Sequence, residues 1–234
     1  TLYTAKGERL ATRRFARMPE RNKAGLKRSL ESGLEDILGR RPDLRLVKVA
    51  DGAHDNWTFL SGALPDGVEV LDYFHAVEHL SRALAAAYGE SSLDYQRMHK
   101  RLRHKLRDND GGVEQVIRAL RHLARKHPRS KVLRTELAYF RKNRRRMQYA
   151  KVAAEGLPIG SGVVEAACKT LASTRMKRSG MRWGHTGGQA ILTLRSRQQS
   201  GEFDVTWRLL HADRVGTVQN LREAPPERTL RAVA

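Results

Sequence analysis

Residues 68–80 read VEVLDYFHAVEHL, and how they are read decides the fold. The first half, VEVLDYF, is a short, mostly apolar run entered through the turn LPDG, the pattern of a buried strand. The second half holds His75, Glu78 and His79 in the order H-x-x-E-H. On a helix these two histidines fall one turn apart on one face, the spacing with which inverted zinc proteases bind metal while the glutamate acts as base. The commoner meaning of H-x-x-x-H is a helix face with no metal at all. A zinc site also needs a third ligand from elsewhere, for which Glu136 and Glu165 are the nominees.

Upstream, TLYTA and RLATRRFARM are rich in Thr, Tyr and Phe and are separated by KGE, with Gly7, which predicts a β-hairpin. Leu26, Leu30, Leu34, Ile37 and Leu38 then recur at helical spacing until Gly39 and Pro42, predicting one amphipathic helix. LRLVKVA reads as a second short strand ending in DGAHDN, and a short helix with Trp57, Phe59 and Leu60 separates it from VEVLDYF. Hairpin, helix, strand, helix, strand is an α/β order whose later strands are parallel.

Downstream, from about Ala76 to Gly156, strand signals vanish and the chain becomes helical and very basic, predicting three or four helices. GLPIGSG punctuates the chain before VVEAACKTLAS, a helix whose apolar face would be Val164, Ala167, Cys168 and Leu171. Cys168 is the single cysteine, which excludes an internal disulfide and a multi-cysteine zinc cage and points to a small core residue. A basic loop, RMKRSGMRWGHTGG, the helical QAILTLRSRQQ, a FDVTWRLL segment and a loose Pro/Arg-rich tail complete the chain. The organisation is therefore 1–75 sheet-bearing, 76–156 helical, 157–200 a returning helix and basic loop, and 201–234 a C-terminal segment and tail.

Lysine and arginine number 45 against 25 aspartates and glutamates, a formal charge of +20 over 234 residues. Such a field points first to nucleic acid and then to anionic membrane. Neither a run of about 18 apolar residues nor a signal peptide is evident, so the expectation is a soluble, cytoplasmic, nucleoid-associated protein with no membrane partner.

In α/β sheets chemistry gathers at the carboxyl ends of parallel strands. Asp51 and Asp72 fall at or near two such ends, and Glu165 lies near the start of a later helix. Each has a plainer meaning: Asp51 with Gly52 as a turn, Asp72 as a helix cap, Glu165 as a favourable charge on a helix dipole. Together they are the kind of set that holds two divalent cations beside a phosphodiester, with Lys and Arg neutralising the phosphates.

Four motifs, VADGAHDNWTFL, VLDYFHAVEHL, LPIGSGVVEAACKTL and RMKRSGMRW, resemble the ISKra-type transposases of insertion sequences, relatives of the Mutator-like DDE transposases with a ribonuclease-H-like catalytic domain. The resemblance runs through nearly the whole chain. It implies DNA strand cleavage and transfer, with Mg²⁺ or Mn²⁺ held by two aspartates and a glutamate. It also implies terminal inverted repeats and target DNA as partners, and a homo-oligomer on that DNA. By motif Asp51 is the second aspartate and Glu165 the glutamate, both metal ligands, while Asp72 and His75 match a supporting D-x-x-H pair. Arg144, Arg145, Arg146, Lys177, Arg178 and Arg182 read as phosphate contacts, and Trp183 either stacks on a base or packs.

One departure matters. The ribonuclease-H-like sheet carries its first aspartate on a central first strand, whereas this chain opens on a hairpin matching the second and third strands. No Asp precedes Asp36, which sits in the middle of an amphipathic helix. The expected fold is thus a ribonuclease-H-like mixed sheet lacking its first strand, with a large all-helical insertion. The unpaired edges would leave that sheet bridged differently or split. The expected activity is a transposase that is inactive as given. The alternatives are a catalytically dead DNA-binding remnant and an H-x-x-E-H zinc hydrolase.

Overall fold

The computed structural model describes residues 1–177 and 179–223, with side chains as far as residue 215. β1 (Leu2–Tyr3) and β2 (Arg9–Ala11) form the antiparallel hairpin, turning through Gly7 at φ +81°. β3 (Val47–Ala50) and β4 (Val68–Leu71) pair in parallel, in register from Val47 with Val68 to Ala50 with Leu71. A parallel pair needs a crossover, and α2 (His54–Gly62) supplies it. Inside β3, Lys48 is 5% exposed, and its ammonium donates to the carbonyls of Leu60 at 2.7 Å and Leu64 at 3.3 Å. The buried charge is thereby bonded to one carbonyl in the last turn of α2 and one just beyond it.

Among the described residues the hairpin and the parallel pair are separate two-stranded sheets. Of the two arrangements expected for a sheet without its first strand, bridged or split, the strands adopt the split one, and the molecule is mostly helical and broadly α/β. The backbone after β2 finds its partners on a helix instead of a strand. Arg14 N donates to Ser200 Oγ at 2.8 Å, and Met18 N to Gln189 Oε1 at 2.9 Å, both on or beside α10 (His185–Gln199).

α1 (Ala24–Arg40) covers the predicted amphipathic segment, but its buried residues are Gly25 and Gly33 rather than leucines. A Cβ on Gly33 would lie 2.6 Å from the Phe15 ring, while Leu30 is 36% exposed. The helix lies against the loop before it, where an aromatic ring fits only because no side chain stands opposite.

The helical run opens at Tyr73. α3 (Tyr73–Tyr88), α4 (Leu93–Asp108), α5 (Gly112–Lys126) and α6 (Lys131–Asn143) pack each against the next, and α6 against α3, closing a four-helix ring. Ser92 and Ser130 cap α4 and α6 by accepting from Tyr95 N and Leu133 N. Leu80, Leu84, Leu102, Leu106, Leu120, Leu133 and Phe140 fill the centre. Val70, Leu71 and Trp57 belong to the same apolar cluster, so strands and bundle share one core.

After a single 3₁₀ turn (Arg144–Arg146), α7 (Tyr149–Ala154) leads to the Gly-rich loop. α8 (Gly162–Ala167) then runs straight into a π-helical turn (Cys168–Ser173) and α9 (Thr174–Met176). The predicted apolar face is corrected here. Leu171 is 4% exposed, but Val164 is 58% exposed and Cys168 is exposed as well. The wide turn packs on α10 through Leu171 and through Thr170, which bonds Gln199 and Arg195, while Val164, Glu165 and Cys168 are exposed. α10 and α11 (Phe203–Glu223) follow, and the expected loose tail lies outside the described residues. Among the described residues no helix is long and apolar enough to cross a membrane.

Candidate functional site

Asp51 and Asp72 are the residues immediately after the paired ends Ala50 and Leu71, and Asp72 N donates to Ala50 O at 2.8 Å. The parallel register therefore sets the two acids side by side at one carboxyl edge. Each also performs its plainer task. Asp51 Oδ1 accepts from Ala53 N at 3.0 Å and Asn56 Nδ2 at 2.9 Å, the Asx-turn that starts α2, and its carbonyl accepts from the Trp57 indole at 2.6 Å. Asp72, 3% exposed, caps α3 by accepting from His75 N through Oδ1 at 2.9 Å. Its Oδ2 accepts from Ser161 N at 2.5 Å.

That last bond brings the Gly-rich loop back over the strand ends. Tyr73 N donates to Ile159 O at 3.0 Å, and Gly160 lies against the Phe74 ring, where any Cβ would be 3.0 Å from it. α8 starts two residues later. Glu165 sits in its first turn, its backbone N donating to Ser161 O at 3.0 Å and its side chain exposed.

Beside the acids, the bundle contributes polar groups from α3 and α6. His79 Nδ1 lies 2.5 Å from Glu136 Oε2, and Arg82 Nε donates to Glu136 Oε1 at 3.2 Å. The His79 ring stacks on Tyr139 at 3.5 Å and stands edge-on to His75 at 5.0 Å. Burial lowers the His79 pKa, with the Glu136 carboxylate opposing. Tyr139 is held well above the usual phenol range by burial and by the charges of Asp51 and Glu136, so it stays protonated. Its ring lies on the backbone of Gly52, so close that a Cβ there would fall 2.4 Å from the phenol oxygen.

These contacts decide what the acids can hold. Among the described residues no three His, Cys, Asp or Glu side chains converge as a metal site. Asp72 spends both oxygens on backbone N–H groups, Asp51 spends one, and Glu165 faces outward. The set as folded does not fit two Mg²⁺ or Mn²⁺ ions. Nor does H-x-x-E-H form a zinc set: among the described residues no third ligand converges with His75 and His79, and Glu78 is exposed and paired at 3.4 Å with His75.

Of the expected phosphate contacts, Arg144, Arg145, Lys177 and Arg182 are exposed, and Arg178 lies outside the described residues. Arg146 is committed elsewhere: its guanidinium bonds Glu69 at 2.7 Å and covers the Trp57 ring at 4.1 Å. Trp183 is half-buried, its indole N–H enclosed and Arg175 set 6.0 Å from its ring centre, so it packs more than it presents a free face.

No protein-family model matches the chain, and neither the curated proteins nor the solved structures contain a significant match to it. Sequence reasoning missed Tyr139 altogether and saw Glu136 only as a zinc nominee. A signal was present: Glu136 interrupts the apolar stripe Leu133, Leu137, Phe140 of α6, and a charge on a buried stripe needs a partner.

Proposed function

We propose that the chain is the DNA-holding part of a transposase-type strand-transfer enzyme, with the carboxyl edge of β3 and β4 as its working edge. By itself it binds DNA without cutting it. The observation that carries this reading is the meeting of Asp51, Asp72 and the loop leading to Glu165 at one strand edge of a chain charged +20. In residues 93–146 lysine and arginine outnumber aspartate and glutamate by more than three to one. Several of the few acids there are already paired, Asp108 with Arg107 and Glu136 with Arg82. The surface is thus matched to a polyanion, whose binding releases counterions and weakens steeply with salt. The four motif resemblances point the same way, and the poor fit of the acids to two metals supports holding without cutting.

The test is fluorescence anisotropy with a labelled duplex, paired with a nicking assay in Mg²⁺ and in Mn²⁺. Salt-sensitive binding should be weakened by Arg144→Glu with Arg145→Glu and by Lys177→Glu with Arg182→Glu, and left intact by Asp51→Asn and Glu165→Gln. Absence of salt-sensitive binding sinks the proposal. Metal-dependent nicking abolished by Asp51→Asn and Glu165→Gln would show instead that the chain cuts unaided.

A further inference from the structure

Two phenols behind the strand ends, Tyr139 and Tyr149, bury hydroxyls that have no hydrogen-bond partner among the described residues. Leaving a buried donor unpaired costs about 1–3 kcal/mol, so such a group calls for an explanation. Tyr149 has one in its ring, which is 1% exposed and packs edge-on to Tyr73 at 5.3 Å as part of the core.

Tyr139 packs against the core on one side, edge-on to Phe140 at 6.0 Å, but its other contacts lie at the strand ends. Glu136 fixes His79, the His79 ring stacks on the phenol with only 12° between planes, and the backbone of Gly52 carries the phenol's polar end. This places the hydroxyl against Gly52, the residue next to Asp51. Asp51 has one oxygen in the Asx-turn, while its Oδ2 has no hydrogen bond among the described residues. A donor lacking an acceptor thus stands beside a carboxylate with a spare one.

We propose that Tyr139 is a positioning residue of the strand-end site, its hydroxyl donating to Asp51 Oδ2 through one bridging water and fixing the orientation of that carboxylate. Tyr139 is raised above the usual phenol range partly by the charge of Asp51, which agrees with their closeness. The role rests on the reading that this edge is the working one, and it makes the helical bundle part of the site. α6 carries Tyr139 and Glu136 inward while its Arg134, Arg141 and Lys142 are exposed.

The experiment uses the full chain labelled with ¹³Cζ-tyrosine, the Tyr139 resonance being assigned by Tyr139→Phe, which keeps the stacked ring. Asp51→Asn should move that resonance, and so should Asp51→Glu, which keeps the charge but displaces the oxygens. Asp43→Asn, at a surface pair with Arg41, should leave it in place. In a double-mutant cycle, Asp51→Asn and Tyr139→Phe should be non-additive by more than about two-fold in the unfolding equilibrium constant. A resonance indifferent to Asp51, with additive effects, overturns the proposal. Duplex binding is measured on the same samples. Coupling without binding sinks the proposed function and leaves this role standing, and binding without coupling does the reverse.

Discussion

At the scale of single residues, Gly52 shows how little room the strand end has. Its φ lies outside the left-handed region, so alanine is acceptable to the backbone and the obstacle is the Tyr139 ring, 2.4 Å from the added methyl. Gly52→Ala should cost about 1–3 kcal/mol in urea denaturation as ring and helix give way. Combining it with Tyr139→Leu should recover part of the loss; no recovery would mean the clash is not with that ring. His79 gives a pH signature. Its pKa is lowered from 6.5 chiefly by burial, so the unfolded chain takes up a proton that the fold resists. Its contribution to stability is complete above pH 6.5 and is lost as pH falls through the lower folded value. The acid-side loss in urea midpoint between about pH 7 and pH 5 should shrink in His79→Gln.

At the scale of elements, what was legible depended on how much of each element's pattern came from its own residues. The β3–α2–β4 unit and α3 to α6 announce themselves, because apolar spacing, capping serines and Gly-rich turns all lie within the segment. Cys168 was misplaced because the π-helical turn changes the angular spacing that a regular helix assumes. Arg146 looked like a phosphate contact because nothing local reveals Glu69, 77 residues away. The candidate site divides the same way. Asp51 and Asp72 follow from strand ends, whereas Tyr139 arrives from another element through packing alone. Lys48 was likewise invisible as a helix cap, and its role is measurable. Lys48→Met removes the donor to Leu60 and Leu64 carbonyls and should cost about 1–3 kcal/mol. Cys168→Ser, on an outward face, should change stability by no more than about 0.5 kcal/mol. Equal effects from the two substitutions would contradict these placements.

At the scale of the whole molecule, a charge of +20 sets conditions on the fold as well as on its partner. Like charges spread over one compact body repel, and salt screens them with a Debye length of about 8 Å at physiological strength. Raising NaCl from low to physiological concentration should therefore raise the thermal midpoint while it weakens duplex binding; a falling midpoint would mean that surface ion pairs dominate instead. The anchoring of the segment after the hairpin on α10 has another consequence, in the order of events on the ribosome. Arg14 reaches its partner Ser200 across 186 positions, and Met18 reaches Gln189 across 171. The four-helix ring, built from neighbours in sequence, can assemble as soon as its own residues emerge. The segment after the hairpin, by contrast, must wait unpaired until α10 arrives. Its exposed backbone is where a nascent chain of this protein would be most open to proteases and to chaperones.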